Sequence, residues 1–224
     1  MLKLHSLSKV YQTDEVETAA LDMVNIEIGA GEFVAIMGPS GCGKSTLLNI
    51  IGMLDTPTSG QYIFLDEDVS NYSESQLSNI RKMNIGFIFQ SFNLMPTLNV
   101  LENACLPGLL AGKNPSAIKT KANELLSWLG LDQRFTHLPA QLSGGEMQRT
   151  AIARALINDP AIILADEPTG NLDSRNGQIV IELLAELNRK FKRTVVIATH
   201  SNLADSLATV TFDLKDGRIL DQKR

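Results

Sequence analysis

Cysteine is scarce in this chain of 224 residues: Cys42 and Cys105 are the whole supply. Two thiols so far apart give neither a disulfide framework nor metal-ligand spacing, and they fit a reducing compartment. Long apolar runs are missing too. The longest charge-free stretch, Met83 to Leu101, contains Asn84, Gln90, Ser91, Asn93, Pro96, Thr97 and Asn99, which makes it too polar to cross a bilayer. Lys3, His5 and Lys9 interrupt the start of the chain, so no basic and then apolar leader opens it, and a cytoplasmic protein is expected. Excess positive charge is absent as well. With 20 Lys and Arg against 25 Asp and Glu, the net charge is −5. The small clusters Arg81-Lys82, Lys190 to Arg193 and Lys223-Arg224 are scattered solvated faces, which excludes the footprint of a nucleic-acid binder. No repeat or low-complexity segment is evident. At 44% hydrophobic residues the chain can bury one α/β core with a subdomain, and little remains for a second independent domain.

What is present is a sequence of buried-strand signals, each ending in polar residues. Leu2 to Val10 and Met23 to Ile28 alternate apolar with polar, which predicts half-buried strands and an antiparallel start, with a turn at Gly29 to Gly31. Phe33 to Met37 is a continuous apolar run, the pattern of a parallel strand buried on both faces. It enters Gly38-Pro39-Ser40-Gly41-Cys42-Gly43-Lys44-Ser45-Thr46, and helical spacing continues from Lys44 to Met53. This fits G-x-x-x-x-G-K-[ST], a loop whose backbone N–H groups surround phosphate oxygens. The helix behind it contributes unpaired N–H groups and partial positive charge. Lys44 supplies a point charge for β and γ phosphates, and Ser45 a hydroxyl for Mg²⁺.

Ile162 to Ala165 and Thr194 to Ala198 are further buried-strand runs, and Ile85 to Phe89 is an apolar strand followed by Gln90. Ligands of open α/β sheets bind at the carboxyl edge to which such strands lead. Between Gln90 and Leu142 the pattern turns helical, clearest over Pro115 to Leu131, with Pro96, Pro107 and Pro139 read as breaks. Thr211 to Leu220, with Asp216-Gly217 at its centre, reads as a terminal hairpin. Leu142-Ser143-Gly144-Gly145-Glu146 then continues into an apparent helix, which places Ser143, Gly144 and Gly145 at an N-terminus suited to a second anion.

A phosphate loop together with Leu-Ser-Gly-Gly-Glu resembles the ATP-binding cassette (ABC) family over nearly the whole chain. The resemblance implies a P-loop NTPase (RecA-like) α/β core with a parallel sheet, an N-terminal antiparallel β-subdomain and a helical insertion. Residues 1–90 and 142–224 would form the core with its β-subdomain, and 91–141 the helical part. It implies an ATPase with ATP and Mg²⁺ bound, closing head to tail as a homodimer so that one subunit's P-loop and the other's signature enclose each ATP. Asp166 and Glu167 then match the Walker B carboxylates. Asp166 would join Ser45 and Gln90 in holding Mg²⁺, and Glu167 would act as general base. His200 matches the switch histidine at the γ-phosphate, Gln90 the Q-loop glutamine, and Pro168 to Asp173 the D-loop, which brings Asp173 to the partner subunit. Tyr11 corresponds to the aromatic that stacks on adenine. An aromatic near a strand end is also often simple packing. Glu146 stands where many relatives have Gln, and Ser201 where Asp commonly follows the histidine.

Phe89 to Pro96, Leu101-Glu102-Asn103 and Leu106 to Gly112 are similar to the subfamily of lipoprotein-releasing and macrolide-exporting ATPases. That implies a separately encoded inner-membrane permease, contacted through the Q-loop and helical subdomain from the cytoplasmic face. Phe92, Leu94, Met95, Leu98 and Leu101 are expected either to line a groove for a permease helix or to form the core of the insertion. A regulatory ATPase of a cell-division or peptide-sensing complex is the alternative. A cassette acting on DNA or ribosomes is disfavoured, because the chain has neither a long coiled coil nor a second cassette. Finally, Cys42 lies between two glycines of the phosphate loop beside Lys44, so its thiol is expected to react before Cys105 and to be shielded by nucleotide.

Overall fold

The computed structural model describes residues 1–12 and 17–224 and contains two sheets with helices around them. The first sheet is antiparallel. It joins β1 (Leu2–Gln12), β2 (Glu17–Ile28), β4 (Ser59–Phe64) and the short β5 (Glu67–Asp68) in the order β2-β1-β4-β5. The second has β3 (Phe33–Met37), β6 (Ile85–Phe89), β7 (Ile162–Asp166), β8 (Thr194–Ala198), β9 (Val210–Lys215) and β10 (Arg218–Lys223) in the order β10-β9-β3-β8-β7-β6. All its neighbours are parallel except β10, which returns along β9. That return uses Asp216 and Gly217, both at positive φ (48° and 77°), as a tight hairpin turn requires.

The continuous apolar runs of the second sheet have a direct physical reason. Ile162, Leu164 and Val196 point into one core with Leu2, Leu4 and Ile28 of the first sheet, and with Leu47 and Ile50 of α1 (Lys44–Ile51). Ile163, Val195 and Ile197 point the other way, toward α3 (Val100–Leu110), α4 (Pro115–Trp128), α5 (Gly144–Leu156) and α6 (Ser174–Phe191). Both faces are dry, so no polar alternation survives. Each fully buried Leu or Ile there contributes about 1.5–3 kcal/mol by leaving water. Gly86 lets α5 approach closely, since a Cβ on it would meet the Ala155 carbonyl oxygen at 2.5 Å.

Two local expectations need correction. Pro107 does not break the helical region; it lies inside α3. The ring costs a hydrogen bond, roughly 3 kcal/mol in an exposed helix. Here Asn99 caps the N-terminus together with Glu102, and Val100, Ala104 and Cys105 are buried in the core, which together hold the helix through the proline. The helix after the phosphate loop stops at Ile51, short of the expected Met53, where Gly52 caps it. Three helices were not anticipated, among them α6, capped by Asp173. The others are α2 (Glu74–Asn84), fixed by a reciprocal Ser73–Gln76 cap, and α7 (Asn202–Leu207).

Register aligns the edge on which everything else depends. Phe89 of β6 pairs Asp166 of β7, Asp166 pairs Ala198 of β8, and Ile36 of β3 pairs Ala198. The residues that follow these four strands therefore emerge side by side.

Candidate active site

That edge opens on a cavity of about 640 Å³ lined by Gly38 to Gly41, Gly43 to Thr46, Gln90, Glu167, Gly170 and His200, with Thr18, Ala19 and Ala20 of β2 as its outer wall. Segments scattered from residue 18 to residue 200 thus share one pocket. Gly43 caps α1 with φ 109°, and a Cβ there would meet the Ala20 carbonyl oxygen at 2.5 Å. Only glycine allows the loop to pass under β2 into the helix. Lys44, 7% exposed, donates from Nζ to the carbonyl oxygens of Gly38 (2.8 Å) and Pro39 (3.0 Å), and stands 3.7 Å from Glu167 Oε1. An ammonium held only by neutral carbonyls and a distant carboxylate suits phosphate oxygens.

Asp166 ends β7 half-buried. Burial raises its pKa, while a hydrogen bond from Ser45 acts in the opposite direction. Its Oδ1 has no partner. A desolvated carboxylate with a free oxygen beside a serine hydroxyl fits the donor set of a hydrated divalent cation. Glu167 takes the left-handed φ of 43°, and its N–H donates to the Ala198 carbonyl (2.9 Å), which turns its side chain into the cavity. His200 Nδ1 lies 3.1 and 3.3 Å from its two carboxylate oxygens. The His200 ring itself is 78% exposed, at the mouth of the pocket.

Gln90 is held from behind. Asn171 donates from Nδ2 to its carbonyl (3.0 Å), and Gln90 Nε2 lies 3.4 Å from Asn171 Oδ1. Arg154 donates to the carbonyls of Phe92 (2.8 Å) and Asn93, and Gln148 to that of Pro168 (2.7 Å). Arg154 and Gln148 were not singled out from the sequence, and Asn171 only as part of the D-loop stretch, without its bond to Gln90. Their bonds span 62, 20 and 81 residues, so no local pattern points to them.

Ser143, Gly144 and Gly145 do not line this cavity. They begin α5, where Ser143 Oγ accepts from Glu146 N (3.3 Å), and Ser143 N donates back to Glu146 Oε2 (2.8 Å). A Cβ on Gly144 would meet Leu172 at 3.0 Å, and one on Gly145 would meet Asn176 Oδ1 at 2.7 Å, so the helix start lies tight against the segment after Walker B. Asp173 is not in the cavity either: it caps α6, accepting from Asn176 N (2.9 Å), and that bond foremost lowers its pKa.

One site expectation changes at side-chain level. Cys42 is only 4% exposed, and its sulfur packs inward beneath Gly38, where an added Cβ would lie 2.7 Å from it; the thiol belongs to the core and does not reach the phosphate side. The Cys42 N–H donates to the Pro39 carbonyl (3.4 Å) in a turn of the loop that leaves its side chain on the core side. Cys105 is buried too, and burial pushes its pKa up. Of Phe92, Leu94, Met95, Leu98 and Leu101, expected in a groove or in the core of the insertion, Leu101 packs against the buried core, and none of the five lines the groove beside β6 and α3. That groove, about 510 Å³, is walled by Leu54, Phe87, Phe89, Pro107 and Leu110, with Arg81, Lys82 and Arg154 around them. Asn103 instead ties Met95 and Leu98 back to α3 through their backbone. Tyr11 is 42% exposed, with its hydroxyl on Asp55 (2.8 Å) and Lys9 Nζ 4.8 Å from its ring centre.

Among the described residues no helix is long and apolar enough to cross a membrane. The ABC transporter family profile matches residues 21–170. An uncharacterized ABC transporter ATP-binding protein of Methanocaldococcus jannaschii is 47% identical, over 99% of this chain and 98% of its own length. Another, of Thermotoga maritima, is 47% identical over 98% of this chain and 93% of its own. Among solved structures, the ATP-binding cassette MJ0796, dimeric and bound to ADP and Pi in a post-hydrolysis state, superposes with a TM-score of 0.92 at 43% identity, covering 100% of this chain and 98% of that one. The cassette cbiO1 of Clostridium perfringens, part of the transporter complex cbiONQ, superposes with a TM-score of 0.88 at 28% identity, covering 99% and 87%. The chain belongs to the ABC transporter family, as an ATP-binding cassette of the ABC ATPase class.

Proposed function

We propose that this cassette hydrolyses ATP at two composite sites formed when two copies close head to tail, and that closure drives a separately encoded inner-membrane permease of the lipoprotein-release or macrolide-export type. One observation carries the reading: Lys44, Ser45, Gln90, Glu167 and His200 converge on one cavity, while Ser143 to Gly145 begin a helix outside it. A helix N-terminus with a serine and two glycines suits a terminal phosphate. Within one subunit that helix end is not part of the phosphate cavity, so a second copy must bring the phosphate to it. The dimeric form of MJ0796 supports this arrangement.

In this reading the backbone N–H groups of 38–46 and the Lys44 ammonium hold the β and γ phosphates, and Tyr11 offers its free face to adenine. Ser45, Asp166 and Gln90 would hold Mg²⁺, which when bound neutralises developing charge on the phosphates. Glu167 orients the attacking water and accepts its proton, and His200 contacts the γ-phosphate across the pocket mouth. Asp173 meets the partner subunit. Residues 91–141 act as the helical subdomain, and the groove between Phe87, Leu54 and Leu110, with its rim of Arg81, Lys82 and Arg154, receives a permease helix at the cytoplasmic face. The Asn171 bridge then links Gln90, behind that groove, to the segment that meets the partner.

The test is Glu167→Gln. It is expected to keep ATP binding, lower hydrolysis by about 10²-fold or more, and trap a dimer with ATP that light scattering detects. A variant that stays monomeric at saturating ATP, or turns over at the wild-type rate, overturns the assignment.

A further inference from the structure

Glu146 puts a full negative charge at the N-terminus of α5, three residues beyond Ser143. The partial charge of a helix N-terminus is only about half an elementary charge, smaller than that of one carboxylate. Taken alone, Ser143 to Glu146 would therefore be net negative and would repel a partner's phosphate. Arg134, from the connection between α4 and α5, meets this charge: its Nε donates to Glu146 Oε1 at 2.7 Å, while Glu146 Oε2 accepts from both the backbone N–H and the hydroxyl of Ser143 at 2.8 Å. The carboxylate is thus fully engaged, and its pKa falls to about 2, chiefly through the Arg134 bond. The arginine is itself held, its N–H donating to the Leu131 carbonyl (2.8 Å), its carbonyl accepting from His137 N (2.9 Å), and its Nη1 lying 3.4 Å from His137 Nε2.

We infer that Arg134 is a positioning residue for the composite site: it neutralises Glu146, locks it as the reciprocal cap of Ser143, and so leaves the start of α5 net positive toward the γ-phosphate brought by a second copy. This rests on the head-to-tail reading above. The same connection also holds the first turn of α3, since Val100 N donates to the His137 carbonyl (3.0 Å) and Leu101 N to that of Phe135 (3.1 Å). Arg134 therefore lies between the helix beside the groove and the phosphate-receiving end of α5.

The experiment uses Glu167→Gln protein as the parent and reads two quantities, the ATP-dependent dimerisation constant by light scattering and the affinity of the monomer for a fluorescent ATP analogue. Adding Arg134→Gln is expected to weaken the dimer about tenfold or more while leaving monomer affinity within about twofold, because an unpaired carboxylate then faces phosphate. Adding Glu146→Gln as well is expected to restore dimerisation to within about threefold. Equal weakening whether residue 146 is Glu or Gln would make Arg134 a purely structural contact, and no weakening at all would remove its role; either result overturns the inference. Glu146→Gln with Arg134 intact gives a reading that does not depend on how Arg134→Gln folds: dimerisation held or strengthened supports the inference, and a tenfold loss overturns it. A parent that stays monomeric with ATP overturns the head-to-tail reading itself, an outcome distinct from all of these.

Discussion

The phosphate cavity and the start of α5 are both built for anions, yet they are assembled in opposite ways. The cavity gathers residues from 18 to 200, and its pieces meet because four strands pair with their ends aligned. The α5 start is almost self-contained: a reciprocal cap within four residues, one arginine twelve residues upstream, and close packing against Leu172 and Asn176. A distributed site is rigid because the whole sheet holds it. A local one can be presented as a finished surface to another molecule, and that is the property a shared site needs.

The strongest way to break this contrast is to disable each half in a different subunit. Ser143→Arg should lower ATPase activity by 10²-fold or more, the scale on which a lost transition-state contact acts, while its own P-loop still binds nucleotide. Mixed with Lys44→Ala subunits it should regain ATP occlusion at one of two sites, because one pairing joins an intact loop to an intact α5 start. Verified heterodimers with no occlusion would mean that the two halves do not meet across an interface.

A smaller effect sharpens the description of the cavity side. Because Cys42 and Cys105 are both buried, brief maleimide treatment of the folded protein should label each at least about tenfold more slowly than in denaturant, with ATP making little difference. Rapid, ATP-protected labelling of Cys42 in peptide mass spectra would place the thiol on the phosphate side after all.

Stability separates the two carboxylates in sign. Burial raises the pKa of Asp166, so its ionisation opposes folding progressively as pH climbs above the unfolded value of about 3.9. Asp166→Asn should therefore melt higher at pH 7, with the gap shrinking toward pH 4, even as it removes Mg²⁺-dependent turnover. Glu146 behaves oppositely. Its pKa of about 2 lies below the usual value of 4.5, so its contribution is present above pH 4.5 and fades as pH falls toward 2. With Arg134 substantially exposed, that contribution is about 1 kcal/mol after screening, and Arg134→Gln should lose it at pH 7, less of it at pH 3 and almost none below pH 2. Calorimetry across pH checks both; a common sign for the two would refute the contrast.

Legibility in the sequence followed the same division. Glycine spacing, apolar runs and carboxylates at strand ends are local, so Gly38 to Thr46, Ile162 to Glu167 and the hairpin at Asp216-Gly217 could be read directly. Pro107 misled because a local breaker was weighed without the cap and buried face that hold α3. Cys42 misled because a residue in a loop was read as facing the loop's ligand, whereas its side chain packs inward beneath Gly38. The apolar residues from Phe92 to Leu101 could not be divided between a groove and the core of the insertion, because nothing local shows that Asn103 ties Met95 and Leu98 back to α3.

The sequence alone determined the α/β strand and helix order and the phosphate loop, because strand period and glycine spacing act over a few residues, and its resemblance to the ABC family supplied the roles of Gln90, Asp166, Glu167 and His200. Tertiary structure alone decided which of them share a pocket, which side of the loop Cys42 takes, and that Asn171, Arg154 and Arg134 position the others. Those outcomes depend on strand register and on hydrogen bonds between segments far apart in the chain, energies that no local pattern encodes.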